Sequence, residues 1–449
     1  MKKRAAVSPF FCKTPVGITV MDNDRKKRRK EEGAAPSRVE DVDGYTEIQL
    51  IRQFAEFAGI PDLFFRCHDG LAKDVTRIDG REYLSFSSYD YLGFNGTEAV
   101  NQAAAEAMRL YGTTAGANRL SSGERPPHRR LERELADFLG LEDCLSFVSG
   151  YTTNVSVLTY LFGNGDLIAH DAKSHNSLIL GASFSGAARF AYPHNDLAAL
   201  NRFLASNRGK YHRAIIVSEG LFSMDGSIAK LPELVETKKR HDCFLMLDEA
   251  HSIGVLGAAG RGAAEYFGLE PAVLDITMGT LSKTFCGCGG FIAGSAGLID
   301  YLKYSAPGFL YSVGMPPPIA AASHMALVML RQAPERLARL REAGQYFLEG
   351  AKQRGLDTGV SAGVSIIPVI IGSSLAASYL SLLLFEHGVI VHPVLYPVVE
   401  ETSARLRFFL TAGHRAEQLD RALDLTAELL PEAMTRAETA QAGISFLQA

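Results

Sequence analysis

Short apolar runs recur through the middle of the chain, at residues 144–148, 166–169, 214–217, 244–247, 273–278 and 291–293. Runs this short and this free of polar residues predict strands buried on both faces. Segments with helical spacing fill most of the gaps, starting with Leu131, Leu135 and Phe138. Strands alternating with helices predict a mainly parallel sheet covered on both sides. Ahead of this body, Tyr45, Ile48, Ile51, Phe54 and Phe57 keep a helical period that Gly59-Ile60-Pro61 ends. Residues 78–84 read as a hairpin around Asp79-Gly80. A polar and aromatic loop spans 86–94, and an alanine-rich helix spans 98–111. Beyond the body the pattern breaks between Tyr301 and Ser312. Pro316-Pro317-Pro318 predicts the start of one long helix reaching about Gln353. Strands at 364–371, 389–391 and 405–410 and a last helix over 416–430 predict a smaller α+β unit. The expected organisation is a leader over 1–40, an N-terminal segment over 41–100, a large domain over 101–314 and a small domain over 315–449.

The 449 residues suffice for two or three domains and a large core. A net charge of -4 argues against a nucleic-acid-binding body. The six cysteines form no CxxC pair and no ligand spacing, so they read as reduced thiols of a cytoplasmic protein. Cys286 and Cys288 read as small residues in a tight turn around Gly287. No apolar stretch is long enough to span a membrane. The leader carries the charge run DRKKRRKEEG at 24–33, which reads as a disordered, solubilising tail. Its start, Met1-Lys2-Lys3-Arg4, has no apolar core behind it and does not read as a secretory signal.

Candidate chemistry gathers at predicted strand ends. Lys283 lies in Gly279-Thr280-Leu281-Ser282-Lys283-Thr284, just past a buried strand, at the rim where α/β sheets bind ligands. An amine held partly neutral there forms a Schiff base with a carbonyl, and the hydroxyls of Thr280 and Ser282 suit a phosphate. An aldehyde plus a phosphate points to pyridoxal 5'-phosphate; the alternative is a solvated surface lysine. Asp248, in Leu247-Asp248-Glu249-Ala250-His251, ends another buried run. A buried carboxylate needs a cation or strong donor, and a protonated pyridine nitrogen is one. The other reading is a helix cap. Ser149-Gly150-Tyr151-Thr152 reads as a strand-to-helix turn whose amides suit a phosphate, or as a plain cap. His170 and His175 follow a further strand, and either could stack on a flat cofactor or be structural. Glu219 and Ser223 end a fourth strand, with a cap and turn on Asp225-Gly226 as the alternative.

The strings SYDYLGF, SGYTTN, SHNS, SEGLFSMDG, DEAHSIG and GTLSKT occur in this order. Together they resemble the α-oxoamine synthase family of pyridoxal-phosphate enzymes, over about residues 47–430. Its members include serine palmitoyltransferase and 8-amino-7-oxononanoate synthase. The resemblance implies fold type I and a decarboxylative condensation of serine, alanine or glycine with an acyl thioester, giving an α-amino ketone. It implies that Lys283 binds the cofactor aldehyde and shuttles a proton. It pairs Asp248 with the pyridine nitrogen, His251 with the ring hydroxyl, and His175 with the ring face. Gly150, Tyr151 and Thr280 would hold the phosphate, and Glu219 and Ser223 match a pocket motif. Arg407 matches the arginine that grips the amino acid carboxylate, with Arg405 next in line. Tyr89 stands where oxononanoate synthases have asparagine and is more like serine palmitoyltransferase. Residues 304–314 resemble members found beside polyketide or fatty-acid synthases, which implies a long acyl group carried by CoA or an acyl carrier protein. The family also implies a homodimer, with residues 111–116 and Ser312 reaching across. The rival reading is another fold type I enzyme, an aminotransferase or aldolase, separable by thioester-dependent release of carbon dioxide. A silent partner subunit would lack the lysine, and a mere binding protein would not turn yellow with cofactor.

Overall fold

A computed structural model describes residues 38–448. The leader expected over residues 1–40 lies almost wholly outside the described residues. The strands are β1 (Val75–Ile78), β2 (Arg81–Ser85), β3 (Asp143–Phe147), β4 (Leu167–Asp171), β5 (Ala188–Tyr192), β6 (Ala214–Glu219), β7 (Phe244–Asp248), β8 (Ile276–Thr280), β9 (Gly290–Gly294), β10 (Ile366–Ile370), β11 (Val389–Ile390), β12 (Pro393–Val394) and β13 (Arg405–Phe409). The large sheet runs β3-β9-β8-β7-β6-β4-β5. All its neighbours pair parallel except β9, which is antiparallel to both β3 and β8. This is the expected mainly parallel sheet.

The central strands show why it forms. Every residue of β6 is buried. Ile216, Leu245 and Leu247 pack to one side with Leu200, Leu231 and Leu234. Ile215, Val217 and Met246 pack to the other with Val157, Leu158 and Leu178. The two-residue alternation splits one apolar run between two helix layers. Each such side chain contributes about 1.5–3 kcal/mol by leaving water.

The small unit holds the sheet β10-β13-β12, and the N-terminal hairpin joins β11 to make β1-β2-β11. Chain segments far apart in sequence therefore close over one another, β2 pairing parallel with β11.

Three expectations need correction. The long helix opening at the triple proline is two helices, Pro317–Gln332 and Pro334–Gln353. Pro334 has no N–H to continue the first and starts the second. The last helix does not stop at Leu430 but runs Ala416–Gln448 through Pro431. Leu429, Ala433 and Ala437 are all buried, so the apolar stripe continues past the proline and outweighs the lost hydrogen bond. Finally β5 had no counterpart in the pattern, because it is an edge strand with exposed Arg189 and Ala191.

Candidate active site

Asp171, Glu219, Asp248 and Thr280 end β4, β6, β7 and β8, four mutually parallel strands, so all lie on one rim of the sheet. The β6–β7 register sets Glu219 directly beside Asp248. Two carboxyl groups on adjacent buried strand ends disfavour each other's ionisation, and the nearby Lys283 amine offsets part of that.

Lys283 sits in a turn just past β8, closed by Cys286 N–H donating to the Lys283 carbonyl at 3.0 Å. Burial lowers its pKa to about 8, with Arg407 adding to the effect and Asp248 and Glu219 opposing it. A useful fraction of the amine is thus neutral and nucleophilic near pH 7. Its Nζ lies 5.8 Å from the centre of the Tyr89 ring.

Asp248 is buried. Its Oδ1 accepts the Ala250 N–H at 2.9 Å and its Oδ2 accepts from Asn154 Nδ2 at 2.7 Å. The capping reading is therefore partly right, but no helix follows and the second oxygen faces inward. Glu219 accepts the backbone N–H of His175 at 2.6 Å. Burial pushes the Glu219 carboxyl well above the usual carboxylate range, and the Asp248 charge adds to it. His175 precedes the helix Asn176–Phe184, and its own Nδ1 caps it. Its pKa is lowered, chiefly by burial and further by Lys283 and Arg407. His170 is buried inside β4 with Nδ1 on the Asp171 carbonyl, and is structural.

His251 and Tyr89 lie together close to the Lys283 amine. His251 Nδ1 lies 2.7 Å from the Tyr91 hydroxyl. Burial drives the pKa of His251 well below its ordinary value, so the ring is neutral at pH 7. Tyr89 stands edge-on to His251 at 6.4 Å and to Phe409 at 4.8 Å.

Gly150 opens the helix Gly150–Leu161, capped by Ser149. A Cβ on Gly150 would lie 3.0 Å from Thr280 Oγ1, and one on Gly290 would lie 2.6 Å from the Gly150 Cα. Glycine at both positions lets the helix N-terminus approach Thr280 at the sheet rim. The Thr280 hydroxyl donates to the Gly289 carbonyl at 3.0 Å. Tyr151 donates to Asn176 Oδ1 at 2.6 Å and stands edge-on to His175. On β13, Arg407 donates Nη1 to the Ser223 carbonyl at 3.0 Å. Among the described residues no carboxylate lies within ion-pair reach of it. Arg405 instead spends its donors on the carbonyls of Ser403 and Met224. Ser223 thus reaches the site through its backbone.

Residues 81–425 match the class I and II aminotransferase family. The chain is 41% identical over 352 residues to the 8-amino-7-oxononanoate synthase of Symbiobacterium thermophilum, covering 78% of this chain and 89% of that one. The chain belongs to the α-oxoamine synthase family. Among solved structures, serine palmitoyltransferase from S. paucimobilis, with a bound aldimine of pyridoxal phosphate (PLP) and myriocin, superimposes with a TM-score of 0.85 at 25% identity, covering 89% of this chain and all of that one. The 8-amino-7-oxononanoate synthase of Francisella tularensis superimposes with a TM-score of 0.69 at 27% identity, covering 78% and 98%.

The rim of this α-oxoamine synthase fits such a cofactor. It offers a partly neutral amine for an aldehyde, a buried carboxylate for a pyridinium, and a helix N-terminus beside a hydroxyl for a phosphate. Sequence reasoning singled out all three but missed Asn154, Ser177 and Tyr91. Each stood inside a quoted string, SGYTTN, SHNS or SYDYLGF. Their partners are remote in sequence, so no local spacing revealed them.

Proposed function

We propose that Lys283 carries the cofactor and moves the substrate α-proton, that Asp248 holds the pyridine nitrogen, and that Arg407 binds the amino acid carboxylate. The chain is a pyridoxal-phosphate acyltransferase that condenses an amino acid with an acyl thioester. When bound, pyridoxal phosphate supplies an electron sink for the bonds broken at the amino acid α-carbon. The residues supply the rest. The Asp248 carboxylate keeps a ring nitrogen protonated, which strengthens that sink. His251, neutral and with Nδ1 on the Tyr91 hydroxyl, would have its Nε2 left for a ring hydroxyl. The Gly150 helix N-terminus and Thr280 receive the phosphate, with Tyr151 alongside. His175 covers one ring face. Glu219 holds the His175 backbone, and Ser223 offers Arg407 a carbonyl that orients it. Tyr89 walls the amine side, where the acyl group arrives. Carbon dioxide and the free thiol leave, and an α-amino ketone remains.

The observation that carries this reading is the placement of Lys283 just past β8, at the rim where Glu219 and Asp248 end neighbouring strands, with burial lowering its pKa to about 8. The amino acid is serine, alanine or glycine, and the thioester is a long or polyketide acyl group on CoA or an acyl carrier protein. A second reading is favoured by the 41% identity to the Symbiobacterium enzyme, namely that the product is 8-amino-7-oxononanoate. Candidate amino acids tested against CoA and carrier thioesters, read by carbon dioxide and product mass, separate the two. Thioester-independent transamination would overturn both. Deleting residues up to Pro36 tests the leader as a carrier-docking segment. Activity with carrier-bound acyl groups should fall while activity with CoA-bound ones holds, and equal activity on both sinks the idea.

The working unit is a homodimer on this reading. Tyr304, Tyr311 and Val313 are exposed, as are Leu110 and Leu120. Gly314 N–H donates to the Ala117 carbonyl at 2.9 Å, which brings the two stretches together. An apolar face of this kind marks an interaction site. A solution mass showing an active monomer would refute it. Five described cysteines are free, which suits the cytoplasm. Among the described residues no helix is long and apolar enough to cross a membrane.

A further inference from the structure

Behind the rim, four side chains form a continuous chain of hydrogen bonds. Asn154 Nδ2 lies 2.7 Å from Asp248 Oδ2 and 3.0 Å from Ser177 Oγ. Ser177 Oγ lies 2.7 Å from His175 Nδ1, and the Ser177 N–H points at the same nitrogen at 3.3 Å. Asn154 and Ser177 are both buried, and Asn154 Oδ1 has no partner.

The direction of every bond follows from groups with only one option. An ionised carboxylate only accepts, so Asp248 forces the NH2 of Asn154 toward itself and leaves Oδ1 outside the chain. That NH2 only donates, so Ser177 Oγ accepts from it. The Ser177 hydroxyl hydrogen is then free for His175 Nδ1. The Ser177 amide also only donates, and it asks the same of Nδ1. Nδ1 therefore carries a lone pair, and the ring proton sits on Nε2.

We infer that Asn154 and Ser177 are positioning residues that, anchored on Asp248, turn the Ser177 hydroxyl toward His175 and hold it as the neutral tautomer with its proton on Nε2. The inference rests on the proposed placement of His175 over the cofactor ring. A neutral ring there adds no further cation beside Lys283 and Arg407, and it shows one N–H donor on the edge left open to the pocket. Protonating Nδ1 would strand two buried donors of Ser177, its hydroxyl and its amide, with no acceptor. The groups facing His175 are Asp248 and Glu219 from the sheet, Lys283 and Arg407 across the site, and Tyr151 from the neighbouring helix. Of these only Asp248 is wired to the ring edge.

Deuterium exchange at the histidine Cε1 of the full-length chain, followed across pH by mass spectrometry, reads the pKa of His175 with and without cofactor. The wild-type value should lie below that of a free histidine. In Ser177→Ala one of the two stranded donors is gone, and the value should rise by about one unit. Asn154→Ala keeps the hydroxyl but frees it from Asp248, and should give a smaller rise. Neutron diffraction of the wild type should place the deuteron on Nε2, which needs no variant to fold. A deuteron on Nδ1, or an unchanged pKa in a folded Ser177→Ala, overturns the inference. Because neither measurement uses turnover, a failure here is distinct from a failure of the proposed activity.

Discussion

The guanidinium of Arg407 donates to the backbone carbonyl of Ser223 at 3.0 Å, although β13 and the loop after β6 are far apart in the chain. The contact fixes one arm of the fork, and the ring of Phe409 supports it from below at 4.6 Å. The remaining donors meet no carboxylate of the chain among the described residues, so they are available to a substrate. Arg407→Ala should raise the KM for the amino acid far more than it lowers kcat. The expected loss in kcat/KM is on the order of 100-fold, about 3 kcal/mol for charge-assisted bonds. Arg407→Lys should recover only part of it, because a point charge cannot replace the fork. Steady-state kinetics check this, and Arg405→Ala serves as the contrast. Arg405 is buried and bound to backbone carbonyls, so its loss should appear in stability before it appears in KM.

The parts of this site legible in the sequence are those built by local rules. An apolar run ends, the chain turns, and a polar residue stands at the rim: Asp248, Glu219 and Thr280 all follow that pattern. Lys283 follows it a turn later. What stayed hidden depends on which strand lies beside which. No periodicity reveals that Asn154 reaches Asp248, or that Tyr91 from the loop after the first hairpin backs His251. The helix break at Pro334 is legible in the sequence, since a proline has no N–H to continue a helix. The continuation through Pro431 was not legible, since it depends on the burial of Leu429 and Ala433 by elements folded elsewhere.

On the proposed reading, Lys283 ties cofactor loading to pH. Only the neutral amine attacks an aldehyde. With its pKa lowered to about 8, the rate at which the visible band of bound cofactor appears should rise with pH through that value and flatten above it. An unperturbed lysine would keep rising toward 10.5. Lys283→Ala should show no band and lose about 10²–10⁴-fold or more in turnover, the range for a positioned acid–base group. The same shift makes a stability statement for the cofactor-free chain. Between about pH 8 and 10.5 the unfolded lysine binds the proton and the folded one does not, so stability rises with pH across that window. Lys283→Met should flatten this rise in chemical denaturation.

Leu247 precedes Asp248 on a strand flanked by β6 and β8, and it is fully buried. Leu247→Ala should cost about 2–5 kcal/mol, set by the cavity it leaves. Because β7 carries the carboxylate at its end, the same change should also weaken cofactor retention. Denaturant titration reads the first effect, and loss of the visible band on dilution reads the second. A stability loss with full retention would mean that the strand end is held by its hydrogen bonds alone.

Glu249 follows Asp248 but turns away from the site and into the protein. Its Oε1 accepts the Ala263 N–H at 3.0 Å, and a Cβ on Gly220 would lie 2.2 Å from its Oε2. No cation is paired with it among the described residues. Burial raises its pKa from 4.5 to about 7, and the Asp248 charge adds to the rise. A carboxyl whose pKa is raised on folding favours the native state fully below pH 4.5 and loses that advantage as pH climbs to about 7. Glu249→Gln keeps an acceptor for the Ala263 amide and removes the buried charge. The variant should therefore melt higher than the wild type at pH 8, by the equivalent of about 1–3 kcal/mol. At pH 4, below both the unfolded and the folded pKa, the wild-type carboxyl is protonated in both states and the two should melt together. Melting curves at both pH values decide it, since a difference that persisted at pH 4 would reflect packing rather than charge.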